Sequence, residues 1–198
     1  MRALLFWLLL SLPAAAGGLS DLLMAPGLFA GAADGPVLAY AYEREVPDGA
    51  EVAPVSGSRL DVTLVPGPED HLFLSREEGG GTLPLAEFPA GGPNPVLLFF
   101  LESTVRSMAG LTGGSPFYIR NRIREAVAAA DVGPAAAPSE VMLNPFAGDP
   151  NRARMGAHAD LTLRLRFDPD RPDRILELSA DTAGSGGGYN ESLVLLED

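Results

Sequence analysis

The chain of 198 residues has no cysteine, no lysine and only two histidines. The absence of cysteine excludes disulfides, thiolate metal ligands, a cysteine nucleophile and a lipid-modified cysteine. His71 and His158 are the two histidines, and no G-x-S-x-G sequence occurs, so the residues needed for serine–histidine hydrolysis are missing. Because the chain can form neither disulfides nor thiolate metal sites, its fold must be stabilised by core packing alone, which a chain of this length can supply.

The charge balance is strongly acidic, with a formal net charge of -12 at pH 7. All fourteen basic residues are arginines. A surface with this excess of carboxylates repels phosphate backbones and anionic lipid headgroups. The composition therefore predicts no nucleic-acid partner.

The N-terminus predicts a cleavable signal peptide over residues 1–16. Arg2 is followed by an apolar run over 3–10, then by Pro13 and the small residues 14–16. This order favours cleavage before Gly17 and a periplasmic or secreted bacterial protein. The alternative is a membrane anchor, but a spanning helix needs about 20 apolar residues and this run is roughly half as long. No later segment is apolar for long enough to span, so no transmembrane segment is expected after cleavage.

Residues 17–36 are rich in glycine, alanine and proline, and we expect a leader that precedes one domain over 37–198. Ser20 is expected to cap one short helical turn, which Pro26 ends. Strand patterns follow, with alternating apolar and polar residues over 37–45, 59–65 and 71–75. A weaker pattern over 82–88 contains Pro84, which confines that strand to a sheet edge.

After these strand patterns, the spacing of the apolar residues changes from two residues to between three and four. Asn94 with Pro95 predicts one helix start, and Ser115 with Pro116 predicts a second. Glycines that follow each of the two predicted helices mark where the helices end. The pattern therefore predicts a helical hairpin over about 94–130.

Strand patterns return over 140–146, 157–168, 174–182 and 189–197. We expect Leu165 to lie opposite Leu176 in a hairpin, because leucine then meets leucine on the buried face. The same register places Arg164 opposite Glu177, which is a favourable cross-strand pair.

The predicted fold class is α+β. We expect an antiparallel sheet of seven or eight strands, curved or a half-barrel, with the helical hairpin packed on one face. The order of elements is similar to that of half-barrel periplasmic lipoprotein carriers, a resemblance of architecture in which no sequence motif is shared.

The predicted register also places Asp160 opposite Asp181, and two carboxylates in that position repel each other. Compensation is expected from a divalent cation, a raised pKa or an arginine of the preceding loop. His158, Arg152 and Arg154 complete this first candidate site. The alternative is a structural role, with an arginine neutralising the carboxylates or solvent screening them.

The second candidate site is the helix that carries Arg120 and Arg124 one turn apart. Two guanidinium groups on one face suit an anionic ligand. The alternative is a solvated face whose arginines pair with neighbouring acids.

No cofactor is predicted, because the glycine-rich run over 184–188 lacks the lysine of a phosphate-binding loop. The sequence favours an exported, non-catalytic binding protein that holds an apolar ligand between sheet and helices. The alternatives are a metal-dependent or carboxylate-based hydrolase using Asp160 and Asp181, and an assembly factor that binds an envelope protein.

Overall fold

The structure is a computed structural model that describes residues 18–132, 137–182 and 188–197. The predicted signal peptide lies outside the described residues. The helices are α1 (Leu19–Leu23), α2 (Pro95–Thr112), α3 (Pro116–Ala129) and α4 (Arg152–Met155), and a 3-10 helix spans Gly156–Asp160. The strands are β1 (Gly35–Glu45), β2 (Val55–Val65), β3 (His71–Glu78), β4 (Gly81–Pro89), β5 (Ser139–Leu143), β6 (Leu161–Phe167), β7 (Ile175–Thr182) and β8 (Asn190–Leu195).

The eight strands form one antiparallel sheet with the order β4-β3-β2-β1-β8-β7-β6-β5. The first four strands and the last four are each consecutive neighbours, and the two sets meet where β8 pairs with β1. The sheet is open, with β4 and β5 at its edges, so Pro84 lies in an edge strand as predicted. This architecture confirms the α+β prediction.

One face of the sheet, here called the inner face, is apolar and covered by helices. Strand β6 shows the alternation most clearly: Leu161, Leu163, Leu165 and Phe167 are at most 1% exposed, whereas the residues between them are half-buried or exposed. Period-two patterns of this kind are produced because successive side chains in a strand point to opposite faces.

The predicted register of the β6–β7 hairpin is wrong by two residues. Leu165 lies opposite Leu178, and Glu177 lies opposite Arg166, to which it is bonded at 3.0 Å. A bulge leaves Leu176 without a partner in β6, because Phe167 pairs with Ile175. A shift by two residues returns each side chain to the same face, so the alternation of apolar residues could not distinguish the two registers.

The start of β6 also differs from the prediction. A strand was expected from residue 157, but β6 begins at Leu161 and the preceding five residues form the 3-10 helix. β5 is likewise shorter than the predicted 140–146, since it ends at Leu143.

The two central helices begin where their sequence signals indicate. Asn94 caps α2 by accepting from the amides of Val96 and Leu97 at 3.0 and 3.2 Å, and Ser115 caps α3. Helix α2 ends at Gly113, whose φ of 64° lies in the left-handed region that favours glycine.

The two helices differ in what they cover. Helix α2 contacts β3 and β7 across the inner face, whereas α3 packs mainly on α2 and α1. The hairpin therefore covers the sheet through one of its helices. No described helix is long and apolar enough to span a bilayer.

The predicted leader belongs to the core. Leu19 and Leu23 of α1 are fully buried, and Phe29 is 5% exposed. The cap of α1 is Gly18, one position before the helix, and not Ser20. Backbone bonds tie α1 to both ends of the hairpin, from Leu19 to Ala130 and from Asn94 to Leu23.

Candidate ligand groove

The mostly apolar inner face carries the charged residues Arg44, Arg76 and Glu191. Arg44 follows Tyr40 and Tyr42 at the same two-residue spacing in β1, and Arg76 follows two buried leucines in β3. Glu191 lies directly opposite Arg44 in β8. Because β1 and β3 run in one direction and β8 in the other, all three residues lie at the same end of the sheet.

The carboxylate of Glu191 is fully buried and accepts hydrogen bonds from three hydroxyl groups. Tyr42 donates to it at 2.7 Å, Ser103 of α2 donates at 2.6 Å, and Tyr189 donates to its second oxygen. Burial and the nearby charge of Glu191 raise the pKa of Tyr42 and Tyr189, so both phenols remain protonated donors. A buried carboxylate is tolerated where its lone pairs are satisfied in this way.

Arg44 is held in place by the same network. Its Nε donates to the carbonyl of Ala53 at 2.9 Å, and its Nη1 donates to the hydroxyl of Ser103 at 3.2 Å. Nη1 also lies 3.9 Å from an oxygen of Glu191. These bonds hold the guanidinium in position, and the side chain is 15% exposed.

Arg76 is the second enclosed cation at this end of the sheet. Its side chain is 13% exposed, and its Nη2 lies 2.8 Å from Glu78, which is itself mostly in solvent. Its Nε is buried and has no hydrogen-bond partner among the described residues.

Arg44 and Arg76 line a groove of about 870 Å³ between α2 and the sheet, here called the inner-face groove. The polar lining comes from Arg44 of β1, from Arg76 of β3, and from Ser103 and other residues of α2. The apolar lining is formed by Tyr42, Val52, Leu85, Phe88, Leu98 and Phe99. The rings of Tyr42 and Phe99 meet edge to face, with centroids 5.9 Å apart.

Two acidic residues also line the groove, and both are paired. Glu102 binds Arg106 at 3.1 Å and Arg120 at 3.0 Å, and Glu87 binds His71 at 2.7 Å. Glu102 therefore pairs with two arginines and Glu87 with the imidazole of His71, and neither acid is paired with Arg44 or Arg76.

The first predicted site is only partly assembled. Arg152 forms an ion pair with Asp160 and donates to the carbonyls of Phe146 and Ala159, so it holds the loop before β6 together. Asp181 lies opposite Thr162, which corrects the predicted pairing with Asp160. The side chain of Asn190 donates to Asp181 at 3.2 Å.

The remaining residues of that site are scattered. His158 is half-buried in the 3-10 helix, and burial lowers its pKa, whereas Arg154 is exposed and lines a separate pocket beside Tyr118. Within the described ranges, no group of three or more histidine, aspartate or glutamate side chains is arranged to hold a metal ion. Asp160 has the arginine partner that the structural alternative expected.

The second predicted site also has acidic partners. Arg120 makes a two-pronged contact with Glu102, and Arg124 is exposed to solvent. Between them, Arg122 lies 2.9 Å from Asp149, a carboxylate that sequence analysis did not single out.

Asp149 is the centre of a second buried network. Its carboxylate accepts from Tyr118 at 2.8 and 2.9 Å and from the amide of Asn151 at 2.7 Å. Burial alone would raise the pKa of Asp149, but the bonds from Asn151, Tyr118 and Arg122 lower it below its ordinary value of 3.8. This network joins α3 to the loop before α4.

Sequence analysis missed the inner-face groove, although a signal for it was present. In a strand, every second residue faces inward. When this series is followed by one more member in three of the predicted strands, it leads to Arg44, Arg76 and Glu191. A charged residue at the end of an apolar strand face is seldom buried unless it is paired or functional.

Comparison with known proteins supplies no relative: the chain matches no family model, no curated protein and no solved structure.

Proposed function

We propose that this chain is an exported binding protein that holds a small, largely apolar molecule in the inner-face groove. The observation that carries the proposal is the size and lining of the groove. Its volume of about 870 Å³ lies within the range of roughly 300 to 1,000 Å³ that is typical of small-molecule sites.

The lining supports binding of this kind. Such sites are mostly apolar and contain a few polar groups in fixed positions. Phe88, Phe99 and Tyr42 supply aromatic surface here, and Arg44 supplies a polar group that neighbouring residues hold in place. A site fixed before binding loses less side-chain entropy when the ligand enters.

Native mass spectrometry of the purified chain tests the proposal. We expect an added mass of a few hundred daltons on part of the population, removed by extraction with organic solvent. A purified protein that shows no added mass, and that binds no apolar probe after extraction, would contradict the proposal.

A matched pair of variants locates the ligand. Phe99→Ala removes an aromatic wall of the groove, whereas Phe117→Ala removes a ring that is 69% exposed and lies outside the groove lining. We expect the first variant to lose most of the bound mass and the second to retain it. Equal retention by both variants would place the ligand elsewhere.

The export part of the proposal rests on the sequence of residues 1–16. Expression of the full chain in a Gram-negative host, followed by cell fractionation and N-terminal sequencing, tests it. We expect a periplasmic product that begins at Gly17. An unprocessed product in the cytoplasm would contradict export and would leave the binding test unaffected.

A further inference from the structure

We propose that the inner-face groove recognises a carboxylate on its ligand through Arg44 and Arg76. This inference rests on the proposed binding function and adds the chemical class of the ligand: a molecule with an apolar body and one carboxylate group.

The first step concerns the donors that Arg44 leaves unused. A guanidinium has five N–H groups in a rigid plane, and carboxylates bind to it along an edge. The carbonyl of Ala53 accepts a hydrogen bond from Nε of Arg44, and the hydroxyl of Ser103 accepts one from Nη1. The Nη2 group donates to no described residue, while the residue itself lines the groove.

The second step concerns Arg76, whose bonding is also incomplete. Its Nε is buried without a hydrogen-bond partner among the described residues, although its Nη2 is paired with Glu78. A buried donor without a partner is unfavourable, so Arg76 retains hydrogen-bonding capacity beside the groove. Both arginines therefore line the groove, and each has an N–H group without a hydrogen-bond partner among the described residues.

The third step concerns the charge of the ligand. Glu191 already offsets much of the charge of Arg44, and Glu78 lies beside Arg76. The carboxylates of Glu87 and Glu102 also line the groove, although His71 lies beside the first and Arg106 and Arg120 lie beside the second. A doubly charged phosphate monoester would meet stronger repulsion from these acids than a singly charged carboxylate would. The charge balance thus favours a monoanion.

The fourth step concerns the rest of the ligand. Phe88, Phe99 and Leu98 line the same groove as the two arginines. A ligand that reaches both kinds of surface must be amphipathic. A fatty acid or another apolar carboxylic acid has this combination.

The experiment compares three probes that share one alkyl chain: dodecanoate, dodecanol and dodecyl phosphate. Each is titrated, below its micelle concentration, into the extracted protein by calorimetry or by change in tyrosine fluorescence. We expect dodecanoate to bind about ten- to a hundredfold more tightly than dodecanol, which is the range for a charge-assisted hydrogen bond. Dodecyl phosphate is expected to bind more weakly than dodecanoate.

The decisive variant is Arg76→Gln, because the partner of Arg76 is a mostly exposed glutamate and the buried Glu191 network stays intact. We expect it to lose most of the preference for dodecanoate over dodecanol. Arg44→Gln should do the same, with a circular-dichroism check of folding. Arg164→Gln is the control, because Arg164 pairs with Glu140 and lies outside the groove lining.

The outcomes separate the two proposals. If none of the probes binds, the binding function itself is wrong. If dodecanoate and dodecanol bind equally well, or Arg76→Gln leaves the preference unchanged, the groove binds apolar chains but the carboxylate inference is wrong. Tighter binding of dodecyl phosphate would replace the carboxylate with a phosphate group.

Discussion

The hydroxyl of Ser103 on α2 donates a 2.6 Å hydrogen bond to the fully buried carboxylate of Glu191 on β8. The same hydroxyl accepts from Arg44, so one serine connects the helix, the last strand and an arginine of the groove. This connection holds α2 against the end of the sheet where Arg44 and Glu191 lie.

Replacing Glu191 should strongly destabilise the fold. In Glu191→Ala, three hydroxyl groups lose their acceptor and the enclosed Arg44 loses the nearby negative charge, and removing one partner of a buried charged network costs about 3 to 5 kcal/mol. Urea unfolding followed by circular dichroism measures the loss. Glu177→Ala is the control, since its ion pair with Arg166 lies near solvent and should contribute less than about 1 kcal/mol. Equal stabilities of the two variants would show that the buried network is dispensable.

The carboxylate of Asp149 predicts a dependence of stability on acid. Its pKa is lower in the folded state than the ordinary value of 3.8, so the unfolded chain binds more protons between these two pKa values. The stabilisation is therefore complete at neutral pH and is lost as the pH falls from 3.8 through the folded pKa. We expect Asp149→Asn to be less stable than the natural chain by about 2 kcal/mol at pH 7.

Unfolding of both proteins between pH 7 and pH 3 tests this expectation. The difference in unfolding free energy should be constant at neutral pH and should shrink in the most acidic samples. A difference that stays constant down to pH 3 would mean that the charge of Asp149 is not what stabilises the network.

The register of the β6–β7 hairpin can be checked with a double-mutant cycle. Arg166 and Glu177 are bonded partners, so replacing both with alanine should reveal a coupling energy of about 0.2 to 1 kcal/mol. Arg164 lies opposite Ser179 in the structure, and its cycle with Glu177 should show a smaller coupling. The reverse result would support the register that the sequence alone suggested.

The segment before β1 should be required for folding. Leu23 is fully buried, and Leu23→Ala should reduce the unfolding free energy by about 2 to 5 kcal/mol through the cavity it leaves. The neighbouring Leu22 is only partly buried, so Leu22→Ala serves as the matched control with a smaller effect. Chemical denaturation of both variants makes the comparison. Similar small losses would indicate that α1 rests on the domain without stabilising it.

The kinds and order of elements were predictable because apolar residues recur at periods that only one element type satisfies. The caps at Asn94 and Ser115 are local signals, and they fixed the helix starts to the residue. Pairing of strands is a long-range property, and leucines at every second position of β6 are interchangeable partners under a shift of two. The bulge at Leu176 adds a further offset that no local pattern encodes.

The candidate site was less predictable for a similar reason. Asp160 and Asp181 were brought together only by the assumed register, and that pairing was lost with the correction of the register. The network that holds Arg44 in the groove depends on the pairing of β8 with β1, which unites Glu191 with Arg44 across about 150 residues of sequence. Charged residues on an apolar strand face would have been a better guide than complementary pairs in one hairpin.

The open sheet leaves two strands with backbone groups available for pairing with another molecule. β4 contains Pro84 and Pro89, which have no N–H to donate, and β5 is only five residues long. Both edges are therefore poor templates for intermolecular strand addition. The two edge strands themselves therefore make the sheet resistant to β-aggregation.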